Sequence, residues 1–151
     1  GKALKPAVTV KDGNVTLKKD RDYTVSYSAN KDIGTAKVTV TGKGSYTGKI
    51  TKTFKINPQG QSISVKGDKS GKKIAVTLAK HSSNSGYQVS YADNSGFKNS
   101  KSLWLSGNSK NKGTIKGLKS KKTYYVKARD YKTIGKTKVY GKWSAVKKVS
   151  I

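Results

Sequence analysis

The residues able to do chemistry are few, and most are of one kind. His81 is the only histidine, there is no cysteine, and the acids are seven Asp with no Glu. General acid–base or nucleophilic catalysis needs a base held beside its partner. His81 falls in the polar run HSSNSG, where an unsupported imidazole reads as a loop residue. A glycosidase pair would have to come from the scattered Asp, and none is placed for it. Asp12, Asp20 and Asp22 lie near turns, but no loop shows the ligand alternation of a calcium site. One His without Cys does not make a zinc site. The glycines of GKGSYTG, residues 42–48, lack the following helix and the lysine-serine or lysine-threonine of a phosphate loop, and read as a turn. Intramolecular Lys-Asn or Lys-Asp crosslinks need a buried acid, for which so few acids give little scope. No metal, no cofactor and no catalytic set is therefore expected.

What stands out is a face. In TIKGLKSKKTYYVKARDY, residues 114–131, Tyr124, Val126 and Ala128 share one side, and Tyr125, Lys127, Arg129 and Tyr131 share the other. This is the period of two of a half-buried strand. Rings and cations would then recur about every 7 Å, a spacing suited to stacking sugar rings or holding sulfated or phosphorylated polymers. Trp104, Lys142 and Trp143 could extend the platform. The competing use of the same residues is cross-strand packing of rings against lysine stems.

The elements that must carry this face are all strands. Val8 and Val10, then Val15 and Leu17 about Asp12-Gly13-Asn14, read as a hairpin. DYTVSY places Tyr23, Val25 and Tyr27 on one face; TAKVTVT places Ala36, Val38 and Val40 inward; KITKTFKI aligns Ile50, Phe54 and Ile56, interrupted by Lys52. Asn57-Pro58-Gln59-Gly60 breaks the ladders and reads as a short linker. Beyond it, Ile63 and Val65, then Ile74, Val76 and Leu78, then Tyr87, Val89 and Tyr91 mark three strands. KSLWLS sets Leu103 and Leu105 opposite Trp104, and YGKWSAVKKVSI supplies a last strand. The fold class is all-β: two tandem sandwich modules, residues 1–57 and 58–151.

Two resemblances follow from these motifs. KPAVTV, DYTVSY, GTAKVTVTGKGSYTG and TKTFKI together resemble a bacterial immunoglobulin-like repeat of large surface and secreted proteins of Firmicutes and their relatives. Such repeats carry a further strand before the G-K-x-L-K-P motif. This chain begins within that motif, so the first module is expected to lack an edge strand and to expose an open ladder. GYQVSYA, GLKSKKTYYVKAR and YGKWSAVKKVSI resemble the fibronectin type III domains of bacterial surface proteins and secreted hydrolases. In that family a tyrosine at the position of Tyr124, after the leucine at 118, opens the penultimate strand, and its hydroxyl bonds to backbone a few residues upstream.

Charge bounds the partners. With 31 Lys and two Arg against seven Asp, the net charge is +26. Residues 1–57 carry 11 Lys and one Arg against four Asp, a net of +8; residues 58–151 carry 20 Lys and one Arg against three Asp, a net of +18. Such a surface attracts polyanions, and the dominance of lysine over arginine favours diffuse, salt-sensitive attraction over shaped recognition. An absence of cysteine in an exported protein points more to a Gram-positive bacterium than to an animal. No apolar run approaches the roughly 18 residues of a membrane span, and export is inferred from the resemblances alone.

The expected role is a non-catalytic module of a larger bacterial cell-surface or secreted protein, extracellular or wall-associated. It would act in display, adhesion or envelope tethering on anionic polymers: teichoic acid, glycosaminoglycan or sulfated mucin. The alternative is an accessory module of an exported protease or glycoside hydrolase, binding polysaccharide substrate without cutting it. Nucleic acid is disfavoured, since there is neither a basic helix nor the aromatic motif of an RNA-binding sheet.

Overall fold

The computed structural model describes residues 2–151, and no helix occurs among them. The chain divides into two compact units, Gly1–Ile56 and Asn57–Ile151.

The first unit is built on a three-stranded antiparallel sheet. Strands β1 (Lys11–Asp12) and β2 (Val15–Thr16) form a small hairpin, and β3 (Tyr23–Ser28), β4 (Gly34–Gly42) and β5 (Lys49–Ile56) lie in the order β3-β4-β5. The register sets Val25 against Val40, Tyr27 against Val38 and Ala36 against Phe54, which gathers the apolar residues on one face. Leu17, Tyr23, Ala36 and Ile56 are buried there, whereas Ile50, at the far end of the same face, is 58% exposed.

The strand expected at Val8 and Val10 starts only at Lys11. The reason is that side chains replace a ladder: the hydroxyls of Tyr27 and Tyr23 donate to the carbonyls of Pro6 and Val8. Leu4 exchanges bonds with Asn30, its N–H meeting the Asn30 carbonyl at 2.8 Å and its carbonyl accepting from Asn30 Nδ2 at 2.7 Å. Among the described residues β3 and β5 each run beside β4 only, so both outer edges of this sheet are free of a strand partner.

The loop before β3 is fixed by Asp22. Its carboxylate accepts from Arg21 and from the Lys18 N–H, each at 2.8 Å. The Arg21 hydrogen bonds, then the Lys18 N–H, hold the Asp22 carboxyl down at about 2.

The second unit is a sandwich. One layer holds β6 (Ile63–Asp68), β7 (Lys73–Leu78) and β10 (Lys112–Ile115) in the order β10-β7-β6. The other holds β8 (Gly86–Ala92), β9 (Lys101–Ser106), β11 (Thr123–Ile134), β12 (Thr137–Tyr140) and β13 (Lys147–Ser150), centred on β11 and β8. Alternation in each strand delivers the core: Ile74, Val76 and Leu78 from β7, Tyr87 and Val89 from β8, and Tyr124, Val126 and Ala128 from β11, joined by Ile63, Ile115, Leu118 and Ile151. The corner before β11 closes as its leucine and tyrosine imply. Leu118 is buried, and the Tyr124 hydroxyl accepts the Lys119 N–H at 2.9 Å.

The last strand is not one strand. The first half of β11 carries β13, from Thr123 opposite Ser150 to Val126 opposite Lys147; its far half carries β12, from Tyr131 opposite Tyr140 to Ile134 opposite Thr137. Between them, residues 141–146 leave the ladder but keep hold of β11. The N–H of Gly141 reaches the Asp130 carbonyl at 3.0 Å, and that of Ser144 the Ala128 carbonyl at 2.7 Å. Ser144 Oγ in turn accepts the Ala128 N–H at 3.0 Å, a side chain standing in for a strand carbonyl. Gly141 itself has no room for a Cβ, which would lie 2.5 Å from the Gln59 carbonyl oxygen.

Candidate functional site

The outward face of β11 is a stack of rings and cations drawn from five segments. The break at residues 141–146 swings the Trp143 ring onto the sheet, and β12 brings Tyr140 and Lys138 alongside. Arg129 is pinned from two directions. Its Nε donates to Gln88 Oε1, directly across on β8, at 2.8 Å, and its guanidinium carbon lies 3.7 Å from the Tyr140 ring centre and 4.2 Å from that of Trp143. Lys127 Nζ sits 3.9 Å over Phe97 and 5.0 Å from Trp143. Lys138 Nζ stands 5.7 Å from both Trp104 and Tyr131, and Trp104 meets Tyr131 edge-on at 5.5 Å. Each such cation–ring contact is worth about 0.5–2 kcal/mol, more as water is excluded. Burial lowers the Arg129 pKa, and the guanidinium remains charged at any physiological pH.

The sequence-derived face is thus distributed as follows. Lys127, Arg129, Tyr131, Trp104 and Trp143 are brought together. Tyr131, though outward by parity, is only 5% exposed because Trp104 of β9 lies against it. Tyr125 is half-buried between Ala92 and Lys148 and takes no part in the stack, and Lys142 is exposed and contacts none of its rings. Phe97, Tyr140 and Lys138 belong to the stack and were not picked out by strand parity on β11, since they come from a loop and from β12. The faces of Tyr140, Trp143 and Phe97 are already occupied by cations, and Trp104, at 43% exposure, is the ring most open to solvent.

A second cluster lies at the core's edge. Asp130, fully buried, accepts from Gln61 Nε2 on Oδ1 and faces His81 Nδ1 on Oδ2, each at 2.6 Å. Gln61 completes the knot by donating to the Ala79 carbonyl and accepting the N–H groups of Ser62 and Ala79. His81 is thereby a paired side chain, 18% exposed, and not the free loop residue its sequence context suggested. A carboxylate orienting an imidazole is two-thirds of a hydrolytic triad. The third member, a hydroxyl bonded to Nε2, is not found among the hydrogen bonds of the described residues. Nor do three or more His, Cys, Asp or Glu side chains gather anywhere among them.

No family model matches the sequence, and no curated protein matches it. Among solved structures, the FN1–FN3 domains of chicken CNTN1 superpose with a TM-score of 0.52 at 20% identity, over 78% of this chain and 41% of that one. The fold is an immunoglobulin-like, fibronectin type III-like β-sandwich. At this identity the likeness carries the fold and not a role.

Proposed function

We propose that the chain is a non-catalytic adhesion or tethering module of a larger exported bacterial protein, in which the second unit holds anionic polymers such as teichoic acid, glycosaminoglycan or sulfated mucin. The observation that carries the reading is the +18 net charge of that unit on a sandwich with few acids to neutralise it. Of its three Asp, Asp130 is consumed inside and Asp68 is spent on Lys73 at 3.3 Å and on the Gly71 N–H at 2.8 Å. The exposed lysines are left facing solvent as a field for polyanions. The first unit, resembling a bacterial immunoglobulin-like repeat, serves as a spacer.

The test is retention of the full chain on a sulfated polysaccharide and on a teichoic acid matrix across a salt gradient. Steep loss of retention as salt rises is the expected result, because each neutralised anion releases counterions. Retention indifferent to salt contradicts it.

The exposed ring of Trp104 favours a second reading, an accessory module of an exported hydrolase that grips polysaccharide by stacking. It predicts saturable binding to a neutral glycan that Trp104→Ala abolishes. Flat titrations across a neutral glycan panel dismiss it.

A further inference from the structure

At the end of the sandwich where β8 runs out and β11 begins, the two layers part around a cavity of about 270 Å³. Its inner wall is core surface: Leu118 and the Tyr124 ring from the corner, with Tyr91, whose ring packs on the core, beside them. Its rim is lysine. Lys101 is registered directly across from Tyr91; Lys98 comes from the loop joining β8 to β9; Lys116 and Lys119 flank the turn before β11. None of these four forms an ion pair among the described residues, and the one acid on the rim is Asp93. Four ammonium groups against one carboxylate about one concavity leave a positive excess that focuses potential into it.

The cavity is also held in shape. Asn94 clamps its own loop, Nδ2 donating to the Lys98 carbonyl and Oδ1 accepting the Lys98 N–H, both at 2.9 Å. Phe97 inside that clamp and Asn99 just past it take left-handed backbone, at φ +56° and +53°, a conformation that costs a non-glycine residue free energy and persists where neighbours fix it. On the opposite wall the Lys119 N–H is tied to the Tyr124 hydroxyl. A rim fixed in advance spares a ligand the ordering cost.

The geometry points to this cavity as a subsite for one anionic sugar unit of an acidic polysaccharide: the ring against Tyr91 and the apolar wall, its sulfate or carboxylate among Lys98, Lys101, Lys116 and Lys119. The volume lies just below the usual range of about 300–1,000 Å³ for ligand pockets, so it takes a single ring and not a chain. Asp93 offers a carboxylate acceptor for a ring hydroxyl. The inference rests on the polyanion reading above and adds to it a place and a stoichiometry.

The experiment is an amide-resolved NMR titration of the full chain with a sulfated, uronate-containing disaccharide, repeated with the neutral disaccharide of the same linkage. Two charge-matched double variants accompany it. K101Q/K116Q removes two rim charges, and K80Q/K110Q removes two exposed charges from loops at the other end of the unit. The expected result is saturable one-site binding, with shifts confined to residues near 91–101 and 116–119, weakened about tenfold or more, or about 1.4 kcal/mol, in K101Q/K116Q and little in K80Q/K110Q. Shifts spread over lysines of the whole unit, or equal weakening in the two variants, overturn the subsite while leaving diffuse polymer binding intact. Failure of both the disaccharide and the long sulfated polymer to bind removes the polyanion reading as well.

Discussion

Removing the carboxylate of Asp130 is the sharpest perturbation of the fold. Both oxygens are engaged at 2.6 Å, by Gln61 Nε2 and His81 Nδ1, in a side chain with 1% exposure. Asp130→Ala strands those two groups. Each buried hydrogen-bonding group left without its partner costs about 1–3 kcal/mol. His81 keeps some access to water and Gln61 keeps the Ala79 carbonyl at 3.1 Å, so each falls in the lower half of that range and the two together cost about 3 kcal/mol. Trp104 and Trp143, the only two tryptophans, both lie in the second unit, so tryptophan fluorescence in urea reads that unit alone. With a slope of about 2 kcal/mol per molar urea, the midpoint falls by about 1.5 M. His81→Ala on the Asp130→Ala background should add little, since its partner is already gone. A midpoint unmoved by Asp130→Ala, or strict additivity of the two substitutions, refutes the knot as a stabilising unit.

Three further outcomes are expected. Tyr124→Phe removes the acceptor of the Lys119 N–H and costs about 1 kcal/mol, lowering the melting temperature of the second unit by about 4–8 °C in a thermal scan. Gly86→Ala drives a Cβ into the Leu105 carbonyl and to 2.8 Å of the Tyr131 hydroxyl, and should destabilise the unit by about 3 kcal/mol in the same urea assay. In acid, Asp22 and Asp68 matter, both held at about 2 against an ordinary 3.8: Asp22 first by Arg21, Asp68 first by the Gly71 N–H. Their folded values are depressed, so their stabilisation is present above about pH 4 and is lost as pH falls towards 2. Asp22→Asn should flatten that acid limb for the first unit, followed by the amide NMR signals of residues 2–56.

The strands were legible where one face alone is buried. Ile74, Val76 and Leu78, or Tyr124, Val126 and Ala128, alternate because the sandwich has a dry side and a wet one, and a period of two needs no partner to be seen. Leu118 and Tyr124 could be read as a corner because the turn between them is local. The features that sequence reading missed all join distant segments. The break after Tyr140 depends on Ser144 Oγ replacing a carbonyl for Ala128, which no run of residues 137–151 announces. Parity sends Tyr131 outward, but a tryptophan 27 residues earlier covers it. His81 and Asp130 are 49 residues apart, and a polar loop gives no sign that its imidazole turns inward. The aromatic face was found as a set of types, while its alternation of ring and cation depended on β12 and on the loop holding Phe97.

The most direct measurement is the equilibrium affinity of the full chain for a sulfated polysaccharide at several salt concentrations, in the native sequence and in variants with equal numbers of lysines neutralised in either unit. The logarithm of affinity is expected to fall linearly with the logarithm of salt over about 50–200 mM. Neutralisation in residues 57–151 is expected to flatten this dependence more than the same neutralisation in residues 1–56. An affinity that ignores salt, or one that depends equally on the two units, contradicts these expectations.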